Sequence, residues 1–158
     1  MNARFEKYIN SLTAKERDLA KESVAEYLKG EGEDVKKVTS SYDIYQYCRD
    51  MALEQEEKSV VLLLNNNNII KERVELCKGT QTETLFDVRA IIRKALLAYA
   101  TTIVLVHNHP SGMMRASCLD DKLTENVKRA CDIMSIRLLD HVIICNNTYY
   151  SYSEQGKL

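Results

Sequence analysis

His107 and His109 stand two residues apart at the end of the apolar run Ile103 to Val106. In a strand, residues i and i+2 share a face, so both imidazoles would point one way and Asn108 the other. Two imidazoles on one face can hold a single cation, which is how many zinc sites begin. They can equally be two hydrogen-bonded histidines at a strand mouth. The residues that follow bear on this choice. Pro110-Ser111-Gly112 turns the chain, and Ser117-Cys118-Leu119-Asp120 has the form of a helix capping box with an acid in the first turn. The same Asp120 can instead supply a third, oxygen ligand, with Asp121 the second candidate a helical step round. Two His and one Asp leave one tetrahedral position open for water, the signature of a catalytic zinc site.

Such a site also needs a general base, a carboxylate beside the metal that is not itself a ligand. Glu57 is a candidate, because Glu57, Ser59, Val61 and Leu63 alternate onto one face of a strand. Glu56, one residue away, would point oppositely. Both also belong to the run Glu54-Gln55-Glu56-Glu57-Lys58, and such runs are ordinarily solvated surface.

Positioning these residues requires a set of elements that the hydrophobic pattern predicts. Residues 11–29 read as a helix, started by a Thr13/Glu16 capping box and followed by a linker at Gly30 to Asp34. Ser40 or Ser41 can cap a second helix bearing Ile44, Tyr45, Cys48 and Met51. Val60 to Leu64 reads as a buried strand, turned by Asn65 to Asn68 into a returning strand from Ile69 to Leu76 that Lys78-Gly79-Thr80 closes. An amphipathic helix is expected from Asp87 to Tyr99, with Leu96 and Tyr99 on its apolar face. Thr101 to Val106 forms the strand that leads into the histidines. A long helix from Cys118 to Met134 is expected to use Leu119, Leu123, Val127, Ala130 and Met134 as its core face. Leu138 to Ile144 and Tyr149 to Ser153 complete the strands. The alternation predicts an α/β layered domain over residues 41–158, a mixed sheet flanked by helices, with a short helical segment at 1–40.

Composition excludes several classes. The chain has 158 residues, 22 Lys+Arg against 23 Asp+Glu, 45% hydrophobic residues, one Pro and five Gly. That length supports one compact domain with a real core. A net charge of -1 argues against a dedicated nucleic-acid or anionic-membrane binder. No apolar run approaches the roughly 20 residues that cross a bilayer, and no apolar stretch follows the N-terminal charges as in a signal peptide. The five Cys (48, 77, 118, 131 and 145) show no CxxC pair and read as reduced thiols, which points to the cytoplasm.

The pattern His107-Asn108-His109-Pro110-Ser111-Gly112 followed by Ser117 and Asp120 resembles the HxHP…SxxD motif of the JAMM (JAB/MPN) metalloproteases. With Leu139-Asp140-His141-Val142-Ile143-Ile144 and Tyr150-Ser151, it resembles the RadC branch in particular, over about residues 41–158. The resemblance implies a cytidine-deaminase-like layered fold and Zn2+ held by His107, His109 and Asp120. It implies Ser117 as a hydroxyl stabilising the oxyanion, and Glu57 as the general acid/base. Three departures stand out. Met113 to Ala116 replaces the family's Asp-Pro-x-Pro, Ser59 stands where an aromatic is favoured, and no helix-hairpin-helix module is evident in residues 1–40.

The expectation is therefore a zinc metallohydrolase of the metalloprotease or isopeptidase type, acting on a peptide or isopeptide substrate. The family label suggests a DNA-repair or mobile-element factor as the alternative, and a non-catalytic MPN-type scaffold as a third. The charge balance supports no nucleic-acid partner, and nothing in the sequence excludes a homodimer. His141 and the Tyr149-Tyr150-Ser151-Tyr152 stretch read as structural.

Overall fold

The computed structural model describes residues 12–33, 37–78 and 87–158. Helix α1 (Ala14–Glu33) is followed by α2 (Ser41–Tyr47), a 3-10 turn (Arg49–Leu53), β1 (Lys58–Leu64) and β2 (Ile70–Lys78). Then come α3 (Val88–Leu97), β3 (Thr102–Asn108), α4 (Cys118–Ile133), β4 (Arg137–Cys145) and β5 (Thr148–Ser151). The strands form one mixed sheet in the order β2-β1-β3-β4-β5. Among the described strands only β3 and β4 run parallel, because α4 carries the chain back between them. The α/β class read from the sequence is the one observed.

Helices cover both sides of the sheet, so β1 and β3 are buried at every residue. On one face Val60, Leu62, Val104, Val106, Val142 and Ile144 pack with Ile44, Tyr45 and Cys48 of α2 and its extension. On the other, Val61, Leu63, Ile103 and Leu105 pack with Ile91 and Ala95 of α3 and with Val127 and Cys131 of α4. Asn65 to Asn68 makes the β1–β2 turn, with Asn68 in the left-handed region at φ 57°. The hairpin closure expected beyond Lys78 lies outside the described residues.

Caps are set as their sequences indicate. Ser40 and Asp43 form a reciprocal capping box on α2, and Thr13 and Glu16 bond reciprocally before α1. Three expectations need correction. The predicted linker is helical through Glu33, with Gly30 and Gly32 inside α1; glycine weakens a helix by only about 1 kcal/mol and does not by itself end one. Helix α3 stops at Leu97, and Tyr99 adopts φ 50° and is 86% exposed. Helix α4 keeps Val127 and Leu123 of its predicted face against the core but is turned at its ends. Leu119 and Met134 are exposed, and Asp120, Thr124, Val127 and Cys131 face the sheet.

The buried Asp50 is matched by a largely buried arginine. Arg73 of β2 grips Asp50 of the 3-10 turn through two nitrogens at 2.8 and 2.9 Å. Cys48, Cys131 and Cys145 are buried free thiols, and burial pushes the Cys48 thiol up to about 12. Among the described residues, no helix is long and apolar enough to cross a membrane. Breaking the ion pair leaves a largely buried guanidinium uncompensated. Asp50→Ala is therefore expected to cost about 3 kcal/mol in urea unfolding, with Asp50→Ala/Arg73→Met losing less than that single change.

Candidate metal centre

The centre is assembled at the C-terminal end of β3. Alternation along this strand places Ile103, Leu105 and His107 on the α4 side and Val104, Val106 and Asn108 on the α2 side. His107 is fully buried. The strand ends at Asn108 and the chain reverses at once. The Gly112 N–H donates to the His109 carbonyl at 2.9 Å, closing a turn with Pro110 at its second position and Gly112 at its fourth. Gly112 has φ +72°, and an added Cβ would meet Asn146 Nδ2 at 2.5 Å. This reversal sets the His109 ring back over His107, with ring centroids 4.9 Å apart.

Helix α4 brings the third group. Ser117 is its N-cap, and Asp120 closes the capping box, accepting from the Ser117 N–H at 2.7 Å and from its hydroxyl at 2.6 Å, both on Oδ2. The same carboxylate turns Oδ1 to within 3.3 Å of His107 Nε2, and Oδ2 lies 3.7 Å from His109 Nε2. The two Nε2 atoms are 3.0 Å apart. Among the described residues, His107, His109 and Asp120 are the group whose donor atoms all lie within 4.8 Å of one another. Cap and ligand are thus one residue, and both readings of Asp120 hold together. Asp121 is turned elsewhere, accepting from the Tyr152 hydroxyl and the Lys157 ammonium.

The chemistry of the donor set fits a cation. His109 Nδ1 lies 2.9 Å from the Met113 carbonyl, which can only accept. The proton of a neutral His109 ring is therefore on Nδ1, and Nε2 presents a lone pair to the cluster. Burial holds the His107 pKa down to about 4 against the pull of Asp120, with the His109 charge lowering it further. A neutral imidazole with its lone pair inward, beside a carboxylate, is the form in which these groups ligate metal.

A family profile described as RadC-like JAB domain matches residues 38–157. The chain belongs to this family. The UPF0758 protein of Thermotoga maritima is 39% identical over 123 residues, covering 77% of this chain and 55% of that relative. The UPF0758 protein of Streptococcus gordonii is 48% identical over 80 residues, 51% of this chain and 35% of that relative. The chain thus spans about half the length, or less, of these curated relatives. A His-His-Asp cluster of this kind in a RadC-like JAB domain is compatible with a JAMM-type metal site.

The remaining predicted residues fall into place less directly. Ser59 pairs with His107 across the antiparallel β1–β3 ladder. The observed pairing ends there, two residues short of Glu57, and the chain reverses just beyond Asn108. The Glu57 side chain is exposed, and the structure gives it no hydrogen bond or ion pair among the described residues. A cleft of about 440 Å3 beside it is lined by Asp18, Lys21 and Glu22 of α1 and by residues of the 50–58 segment, and by none of His107, His109, Ser117 or Asp120. Glu56 contributes its carbonyl, which accepts from Asn108 Nδ2 at 3.1 Å. Asn108 Oδ1 also accepts from the Lys58 N–H at 2.7 Å, so this buried amide clamps the backbone on both sides of Glu57.

Sequence reading underused three residues: Asn108, Thr124 and His141. Their only local signal is that each is a polar residue at a core-facing position. The turn geometry yields a direct test. Gly112→Ala forces a side chain into the left-handed region and against Asn146, so thermal melts should show a loss of about 1–2 kcal/mol.

Proposed function

We propose that this domain is a zinc-dependent hydrolase of peptide or isopeptide bonds. The reading is carried by the convergence of His107, His109 and the Asp120 carboxylate, with the His109 N–H tied to a carbonyl outside the cluster. Three protein ligands with one position left open is the catalytic arrangement rather than the closed structural one. Bound zinc would supply a Lewis acid and would acidify water at its open position.

The chain's own groups account for the rest. Glu57 is the general acid/base: it accepts a proton from water and returns it to the leaving amine. Its support is the family resemblance, together with its exposed position just before β1, whose Ser59 pairs with His107. Asn108 holds the Glu57 backbone in place. Ser117 has two duties in this reading. It fixes Asp120 through the capping box, and its hydroxyl is the donor for the oxyanion that the family resemblance assigns it. The first duty engages the hydroxyl proton with Asp120, so the oxyanion role requires that proton to be redirected when substrate binds.

Metal analysis of the purified chain tests the centre. About one zinc per chain is expected, and it should be lost in His107→Ala/His109→Ala; unchanged content in that variant would sink the assignment. Hydrolysis is tested by mass-spectrometric profiling of a mixed peptide and isopeptide library. Glu57→Gln should retain zinc and lose turnover by about 100-fold or more. Normal turnover in Glu57→Gln, with loss in Glu56→Gln, would move the base by one residue.

A further inference from the structure

We infer that His141 is the positioning residue of this centre. A hydrogen-bond chain from the Asp120 carbonyl through Thr124 and His141 fixes His107 as its Nδ1–H tautomer and turns the His107 Nε2 lone pair into the cluster. The inference rests on the metal site proposed above and adds to it a residue outside the ligand set.

The direction of the chain follows from which atoms can donate. Thr124 Oγ1 lies 2.6 Å from the Asp120 main-chain carbonyl, which can only accept, so the single hydroxyl proton points there. The same oxygen lies 2.7 Å from His141 Nδ1. With its proton already committed, Thr124 accepts, and His141 carries its proton on Nδ1. His141 is fully buried, which favours the neutral ring, so its Nε2 is an acceptor. That Nε2 lies 2.9 Å from His107 Nδ1, which therefore donates. The His107 ring, also fully buried, is left with its lone pair on Nε2. That is the nitrogen facing His109 and Asp120 at 3.0 and 3.3 Å.

The chain has a fixed origin and a fixed plane. Its origin is the backbone of Asp120, so one residue of α4 supplies a ligand by its side chain and orients another ligand by its carbonyl. Its plane is set by Tyr152, stacked on His141 at 4.8 Å and 11°. Tyr152 is held in turn by its hydroxyl bond to Asp121 at 2.9 Å. Ligating histidines characteristically donate their second ring nitrogen to a neighbouring acceptor, and loss of that acceptor weakens metal binding about 10–100-fold. In most such pairs the acceptor is a carboxylate or a carbonyl. Here it is a third imidazole, whose own tautomer must first be set by a threonine.

Two readouts on the full chain test this. Long-range nitrogen–proton spectra of the histidine rings in metal-free protein report each tautomer, and zinc titration against a competing chelator reports affinity. The wild type should show His107 protonated on Nδ1 before metal is added. Thr124→Val and His141→Phe should let His107 populate the Nε2–H form and should weaken zinc binding about 10–100-fold. His141→Gln offers an amide oxygen to His107 and should recover most of that loss. If His141→Phe fails to fold by circular dichroism, the near-isosteric Thr124→Val decides. His107 found as the Nε2–H tautomer in the wild type overturns the inference. So does wild-type zinc affinity in a folded Thr124→Val or His141→Phe chain. A wild-type chain that takes up no zinc overturns the metal reading instead, and the ring spectra then still decide the chain.

Discussion

Burying His107 at the end of the central strand removes a polar ring from water, and the surrounding elements are arranged to offset that cost. An unsatisfied buried polar group costs about 1–3 kcal/mol, a sizeable share of a domain's net stability. Among the described residues, every buried side-chain nitrogen or oxygen has a polar neighbour within hydrogen-bond distance. Meeting that condition dictates the face of α4. The first turns of the helix must present Asp120 and Thr124 to the sheet, and only further along can Val127 and Cys131 take over as core. The same condition dictates β4, where His141 projects toward α4 and the neighbouring Asp140 is buried as well. The polar cluster and the hydrophobic core are therefore one packing solution.

The dipeptide step from His107 to Asn108 divides the labour between the two faces of the sheet. His107 looks toward α4 and the ligand cluster. Asn108 looks the other way and binds three backbone groups of the segment before β1: the Lys58 N–H and the carbonyls of Glu56 and Glu54. The loop that carries Glu57 is thus fastened to the residue between the two histidines. Loops that carry function need this kind of anchorage, because their own backbone has few internal bonds. Asp140 does the same work at the far side of the sheet. It accepts from Ser41, Ser151 and the Ser153 N–H, and so ties α2 to β4 and β5. Burial raises its pKa against those bonds.

The parts of this arrangement legible in the sequence are those encoded locally. Short continuous apolar runs mark β1 and β3, Asn65 to Asn68 mark the turn, and Ser40, Thr13 and Ser117 mark helix starts. His107, His109 and Asp120 were readable because their spacing is short and their residue types are scarce. The face of α4 is only partly readable: Val127 and Leu123 pack as expected, Leu119 and Met134 do not. Leu119 and Met134 have the higher hydrophobicity, but the sheet needs Asp120 and Thr124, so long-range polar demand overrode the local pattern. The His107–His141 contact spans 34 residues and the His141–Thr124 contact 17, and neither leaves a trace in periodicity. The end of α1 was misread for the opposite reason. Gly30 and Gly32 suggested a break, yet the helix continues through them to Glu33.

The distribution of cations bears on which partner such a centre serves. Phosphate recognition requires lysines and arginines free to displace counterions along a nucleic-acid backbone. Here Lys58 is buried between Glu54 and Glu75 at 3.1 and 2.9 Å, and Arg73 is committed to Asp50. Arg129 and Lys157 each lie beside an acid of this chain, at 4.0 and 3.2 Å. The cluster at the end of β3 asks for the opposite environment. It is a small set of lone pairs and one carboxylate, held by neutral hydrogen bonds, and it suits a single small cation better than a polyanion. The donor set the chain concentrates there is compatible with a metal centre, and the exposed apolar side chains of Met113, Met114 and Leu119 follow it closely in sequence.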